Sequence, residues 1–126
     1  MKRFKKIFGL VGICLAFVFF LASCSNVNQS YADKVNNAYK NNASMKYEDV
    51  KKDLGDECID VTKNQNGVLV AIKGVKAGNY QERLQNAKED EKFEFITITV
   101  VVGNCTYAHY AVGTAGEALA AINIKK

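Results

Sequence analysis

Hydrophobic and polar positions change their period several times along the chain. Residues 7–22 form an apolar run without a charge, preceded by Lys2, Arg3, Lys5 and Lys6. A cationic start, a short apolar stretch and small residues before a cut site make the layout of a secretory signal peptide over residues 1–23. Sixteen apolar residues also fall short of the roughly 20 that span a bilayer as a helix. Residues 24–30 are mostly polar and lack periodicity, so they read as a tether, leaving 31–126 as one small domain. Tyr31, Val35, Ala38 and Tyr39 then recur at helical spacing, with Ser30 placed to cap and Asp33 three residues on. This predicts a helix over 31–41. A second helix is predicted over 46–54, with Tyr47, Val50 and Leu54 on one face, Met45 stapling against Val50, and Gly55 as its stop.

Strand signals follow. Ile59 and Val61 alternate with polar neighbours, 64–67 reads as a turn, and Val68, Val70 and Ile72 form a second alternating run. Residues 93–102 make the strongest strand, rich in aromatic and β-branched types. Gly103-Asn104 reads as a two-residue hairpin loop, and a returning strand runs over 106–112. Thr114 and Glu117 form a capping box for a last helix carrying Leu119 and Ile122. The charged stretch 75–92 reads as a mobile surface loop, although Tyr80, Leu84 and Ala87 have the spacing of a short helix.

The order helix, helix, then four strands in a meander predicts an α+β fold, a helix–loop–helix packed on one face of a four-stranded antiparallel sheet. A loop at 103–104 pairs Val102 with Cys105. One face then carries Ile96, Ile98, Val100, Cys105, Tyr107 and His109, and the other carries Phe95, Thr97, Tyr110 and Val112. The first set is the more apolar and is expected to meet the helices. The second is the expected protein-binding surface, with Phe95, Thr97, Tyr110 and Val112 as its contact residues.

Residues Leu21-Ala22-Ser23-Cys24 close the apolar run and resemble the bacterial lipobox. That resemblance implies cleavage before Cys24 and a diacylglyceryl group on its thiol, hence a chain anchored to the cell membrane or the outer membrane from outside the cytoplasm. The charge picture changes with it. The chain has 17 basic and 13 acidic groups, but four of the basic ones precede residue 7, so the remainder is balanced and a nucleic-acid partner is not expected. Of four cysteines, Cys14 lies in the signal and Cys24 carries the lipid. Cys58 and Cys105 start opposite edges of the expected meander, too far apart for a bridge, and read as buried free thiols.

Little points to catalysis. His109 is the sole histidine and Cys105 lies four residues away on the same strand, roughly 13 Å at normal rise, so the two cannot form a nucleophile–base pair. The cysteines and His109 do not supply the converging ligands of a zinc site, and Glu89-Asp90-Glu91 lacks the spacing of a calcium loop. No cofactor and no enzymatic activity are expected.

The segment from Tyr39 to Gly55, with Ser44-Met45-Lys46-Tyr47-Glu48-Asp49-Val50 at its centre and Leu54-Gly55 at its end, resembles the helix–loop–helix of β-lactamase-inhibitor-protein-like domains. It is also similar to the small accessory lipoprotein of the outer-membrane β-barrel assembly machinery. The resemblance covers about 31–113 and implies the same two helices on a four-stranded antiparallel sheet. The Trp-rich inhibitory surface of the secreted inhibitors has no counterpart, because the chain has no Trp. The expectation is a membrane-anchored envelope lipoprotein acting as a protein-interaction module. The alternative is a small-ligand or envelope-stress sensor using the 75–92 loop as a lid.

Overall fold

The computed structural model describes residues 25–123. The signal segment 1–23, Cys24 and residues 124–126 lie outside the described residues. Helix α1 (Gln29–Lys40) starts earlier than its apolar spacing suggests because Asn28, not Ser30, is its cap. The Asn28 side-chain oxygen accepts from the Tyr31 N–H at 2.7 Å. Helix α2 (Tyr47–Leu54) buries Val50 and Leu54, and Gly55 stops it at φ +64°, where a side chain would be strained. A 3₁₀ turn (Gly55–Glu57) leads into the sheet.

Strands β1 (Cys58–Lys63), β2 (Asn66–Ile72), β3 (Phe93–Val101) and β4 (Asn104–Gly113) form one antiparallel meander in sequence order. Both hairpins turn on two residues with positive φ, Asn64-Gln65 and Val102-Gly103, as the right-handed strand twist favours. The second loop is therefore one residue earlier than the Gly103-Asn104 expected. Ile96 pairs with Tyr110 and Thr97 with His109, and a bulge follows at Thr99/Val100. The bulge lets Cys105 and Ala108, an odd number of residues apart, both face α1 and α2. Tyr110 joins that face, and Tyr107 and His109 move to the other.

The sheet is buried on both sides, not one. Val27, Tyr31, Val35, Val50 and Leu54 pack with Leu69, Ile96 and Ile98 on the first face. On the second, Ile59, Val70, Ile72, Phe93 and Phe95 pack with Val75, Leu84, Ala118 and Ile122. The covering elements are the 75–92 stretch and the last helix. That stretch is not a free loop: it folds into a 3₁₀ turn (Ala77–Asn79) and helix α3 (Tyr80–Gln85), and drives Val75 and Leu84 into the core. Helix α4 (Ala115–Asn123) begins at the expected capping box, with Thr114 N–H donating to Glu117 Oε1 at 2.8 Å and Glu117 N–H donating to Thr114 Oγ1 at 3.3 Å. Two-sided burial has a plain cause in the sequence. Residues 68–72 are an unbroken apolar run and are buried throughout, the pattern of a strand covered on both faces.

The expected tether at 24–30 is likewise corrected over its described residues, 25–30. Val27 is fully buried, Ser25 Oγ donates to Glu57 Oε1 at 2.7 Å, and Asn26 Nδ2 donates to the Asp53 carbonyl at 2.8 Å. Ser25 is thus already part of the folded domain. Among the described residues, no helix is long and apolar enough to cross a membrane.

Candidate interaction surface

The four residues expected to form a contact surface do not share one. Phe95 is core on the second face, 7% exposed beneath α3 and α4. Thr97 is half-buried on that same face. Tyr110 and Val112 lie on the α1/α2 side, where the Tyr110 hydroxyl donates to Glu94 Oε1 at 2.6 Å. Val112 stands exposed at the end of β4. The one-residue shift of the β3–β4 register separates the pairs, and helices on the second face bury Phe95.

Exposed apolar area gathers elsewhere. Val101, Val102 and Tyr107 are 47%, 71% and 54% exposed, at or beside the tip of the β3–β4 hairpin and beyond the cover of α3 and α4. Val102 holds φ +48°, an uncommon conformation for a β-branched residue. The tip is braced against its neighbour. Gly103 N–H donates to the Gln65 carbonyl at 3.0 Å, and Val102 N–H donates to Asn66 Oδ1 at 2.9 Å. The signal for this surface was present in the unbroken run Val100-Val101-Val102, longer than a buried strand end needs.

The loop before α2 holds the hairpin from the side. Cys105 N–H donates to the Met45 carbonyl and Tyr47 N–H to the Gly103 carbonyl, each at 2.9 Å. Tyr47, Lys51, Asp60 and Thr62 then tie α2 to β1. Tyr47 Oη donates to Asp60 Oδ2 at 2.8 Å, Lys51 Nζ lies 3.0 Å from the same oxygen, and Thr62 Oγ1 donates to Asp60 Oδ1 at 2.6 Å. Burial pushes the Asp60 carboxyl up, but the bonds from Thr62, Lys51 and Tyr47 outweigh it and hold it below its ordinary range. The Asp60 and Tyr47 bonds hold the Lys51 ammonium above its own. Tyr47 and Lys51, within the 39–55 segment, are thus occupied in tying α2 to β1.

The thiols and the histidine lie apart from one another. Cys58 and Cys105 are free thiols on the α1/α2 side, and burial pushes each up to about 11, leaving little thiolate near neutral pH. His109 is exposed on the opposite side of the sheet from Cys105, which separates the two more completely than strand distance does. Burial and then the Asp53 hydrogen bond, 2.7 Å from its hydroxyl, push Tyr31 strongly up. Among the described residues, no group of three or more His, Cys, Asp or Glu is placed to hold a metal ion.

An open depression of roughly 510 Å³ lies at the other end of the sheet, between Ser25, the turn after α2 and the turn after β2. Its charges are mixed, with Asp53, Asp56 and Glu57 facing Lys73 and Lys76. No family model, curated protein or solved structure matches the chain.

Proposed function

We propose that the protein is a bacterial envelope lipoprotein, held to a membrane by a diacylglyceryl group on Cys24, whose domain binds another envelope protein and carries no catalysis. The observation that carries this reading is Leu21-Ala22-Ser23-Cys24 at the end of a cationic and apolar leader, with the next residue, Ser25, bonded into the folded domain. The helix–helix–sheet order supports kinship with β-lactamase-inhibitor-like domains, while α3 and α4 stand outside that pattern. The partner contact belongs to the hairpin tip, at Val101, Val102 and Tyr107, because large apolar side chains exposed together are costly to leave in water. Val75 and Leu84 pack the 75–92 stretch onto the sheet, which gives the ligand-sensing reading less support.

Intact mass of the membrane-extracted protein tests the anchor. The expected N-terminal fragment starts at Cys24 and carries acyl chains, and Cys24→Ser abolishes both acylation and cleavage there, leaving residues 1–23 attached. A chain retaining residues 1–23 in the Cys24 form would overturn the reading. A photo-crosslinking residue at 107 tests the surface. It should give a discrete adduct in intact cells that Val102→Asp suppresses, whereas equal adducts from position 82 on α3 would count against the tip.

A further inference from the structure

The segment that follows Cys24 is clamped at both its backbone and its side chains. Val27 is fully buried, and its N–H donates to Ser25 Oγ at 3.1 Å. Ser25 Oγ in turn donates to Glu57 Oε1, and the other Glu57 oxygen accepts from Gly74 N–H at 2.8 Å. Asn28 Nδ2 donates to the Ser25 carbonyl at 3.1 Å, closing the turn on itself. These bonds fix residue 25 to the end of the sheet where β1 begins and β2 ends. Cys24 is the next residue back, so its Cα lies about 3.8 Å from that of Ser25. A free tether over 24–30 would instead have reached roughly 25 Å.

We propose that the domain seats directly on the bilayer in one orientation, with the Ser25 end (the turns Gly55–Glu57 and 74–79) against the headgroups and both hairpin tips pointing away. The inference rests on the lipid-anchor reading above. Three observations carry it: the clamp holds Ser25 in place, Ser25 lies at one end of the sheet, and the tips lie at the other. Nine-residue β3 spans about 30 Å at normal rise, which sets the distance from anchor to tip. The exposed Val101, Val102 and Tyr107 therefore stand away from the membrane and do not insert into it. The seating end is polar and mixed in charge, with Lys73 and Lys76 beside Asp53, Asp56 and Glu57. Its attachment comes from the acyl chains, so the orientation does not require anionic lipid.

The test uses the mature lipidated protein in phosphatidylcholine nanodiscs containing a lipid with a paramagnetic headgroup, read by amide line broadening. Amides of 74–79 should broaden several-fold more than those of 64–65 and 102–103, with the same pattern after anionic lipid is added. A Gly-Ser linker of about 12 residues inserted between Cys24 and Ser25, worth roughly 20 Å of coil, should erase the contrast. Equal broadening at both ends in a chain whose mass shows lipid on Cys24 would overturn the orientation alone. Broadening centred on Val102 would overturn it and mark the tip as a membrane contact. A chain without lipid on Cys24 would remove the premise, and the proposed function with it.

Discussion

Asn36 lies on α1 where that helix runs along β4, an edge strand, and its amide stands in for a missing strand. Its Nδ2 donates to the Ala108 carbonyl at 2.9 Å and its Oδ1 accepts from Ala108 N–H at 2.8 Å. Two backbone groups that would otherwise face away from the sheet are thereby satisfied, and the edge is blunted. Asn36→Ala should cost about 1–3 kcal/mol, the penalty of leaving such groups unpaired, read as a drop in urea midpoint at constant slope. No periodicity marks Asn36, because its value depends on which strand the helix meets. Asp60 carries a pH dependence of definite sign. A carboxylate held below its ordinary range adds stability above about pH 4, and that stability is lost as pH falls through the lower folded value. Lys51, held above its ordinary range, contributes below about pH 10.4 and loses its share as pH rises through its folded value. The pair is substantially solvated, so Asp60→Asn should cost under about 1 kcal/mol at pH 7. Urea midpoints of variant and parent should converge in acid, and a gap undiminished at pH 2 would contradict this account.

At the scale of elements, the stop of α2 and the cap of α4 were readable from local chemistry, whereas α1 is capped by Asn28 and not by the expected Ser30. Gly55 and the Thr114–Glu117 box lie where local chemistry puts them. The β3–β4 hairpin behaved differently. Gly103-Asn104 is a good turn by residue type, yet the chain turns on Val102-Gly103 and places a valine at φ +48°. The choice is made by burial. Turning one residue earlier, with a bulge beyond, puts Cys105, Ala108 and Tyr110 against α1 and α2, where the alternative register would bury His109 and Tyr107. The strain at Val102 should therefore be recoverable. Val102→Gly should raise stability by about 1 kcal/mol, the steric cost of a left-handed L-residue less the added chain entropy of glycine. Thermal unfolding measures it, and an unchanged or lower midpoint would show the turn to be unstrained. A gain in stability with loss of the position-107 adduct would tie the exposed valine to binding.

For the whole molecule, the second layer of helices separates what this protein is from a two-helix, one-sided fold. Ile122 is 2% exposed and Val112 57%, though both are β-branched residues near the C-terminus. Ile122→Ala should cost about 2–5 kcal/mol and Val112→Ala about 0.5 or less, a contrast in calorimetric midpoint that one-sided packing would not produce. Both edges of the sheet are also managed, β4 by Asn36 and the Met45–Tyr47 loop, and β1 by Thr62 N–H turning back to Asp60 Oδ1 at 2.9 Å. The sequence by itself determined the four strands, their meander order, the two leading helices and the last helix cap, because each rests on periodicity or contacts within a few residues. Only the tertiary structure decided the hairpin register, the burial of Phe95, the folding of 75–92 onto the sheet and the clamp at Ser25. Each of those turns on which distant surface is available to bury an apolar side chain or satisfy a polar one, and that partner lies far away in the chain.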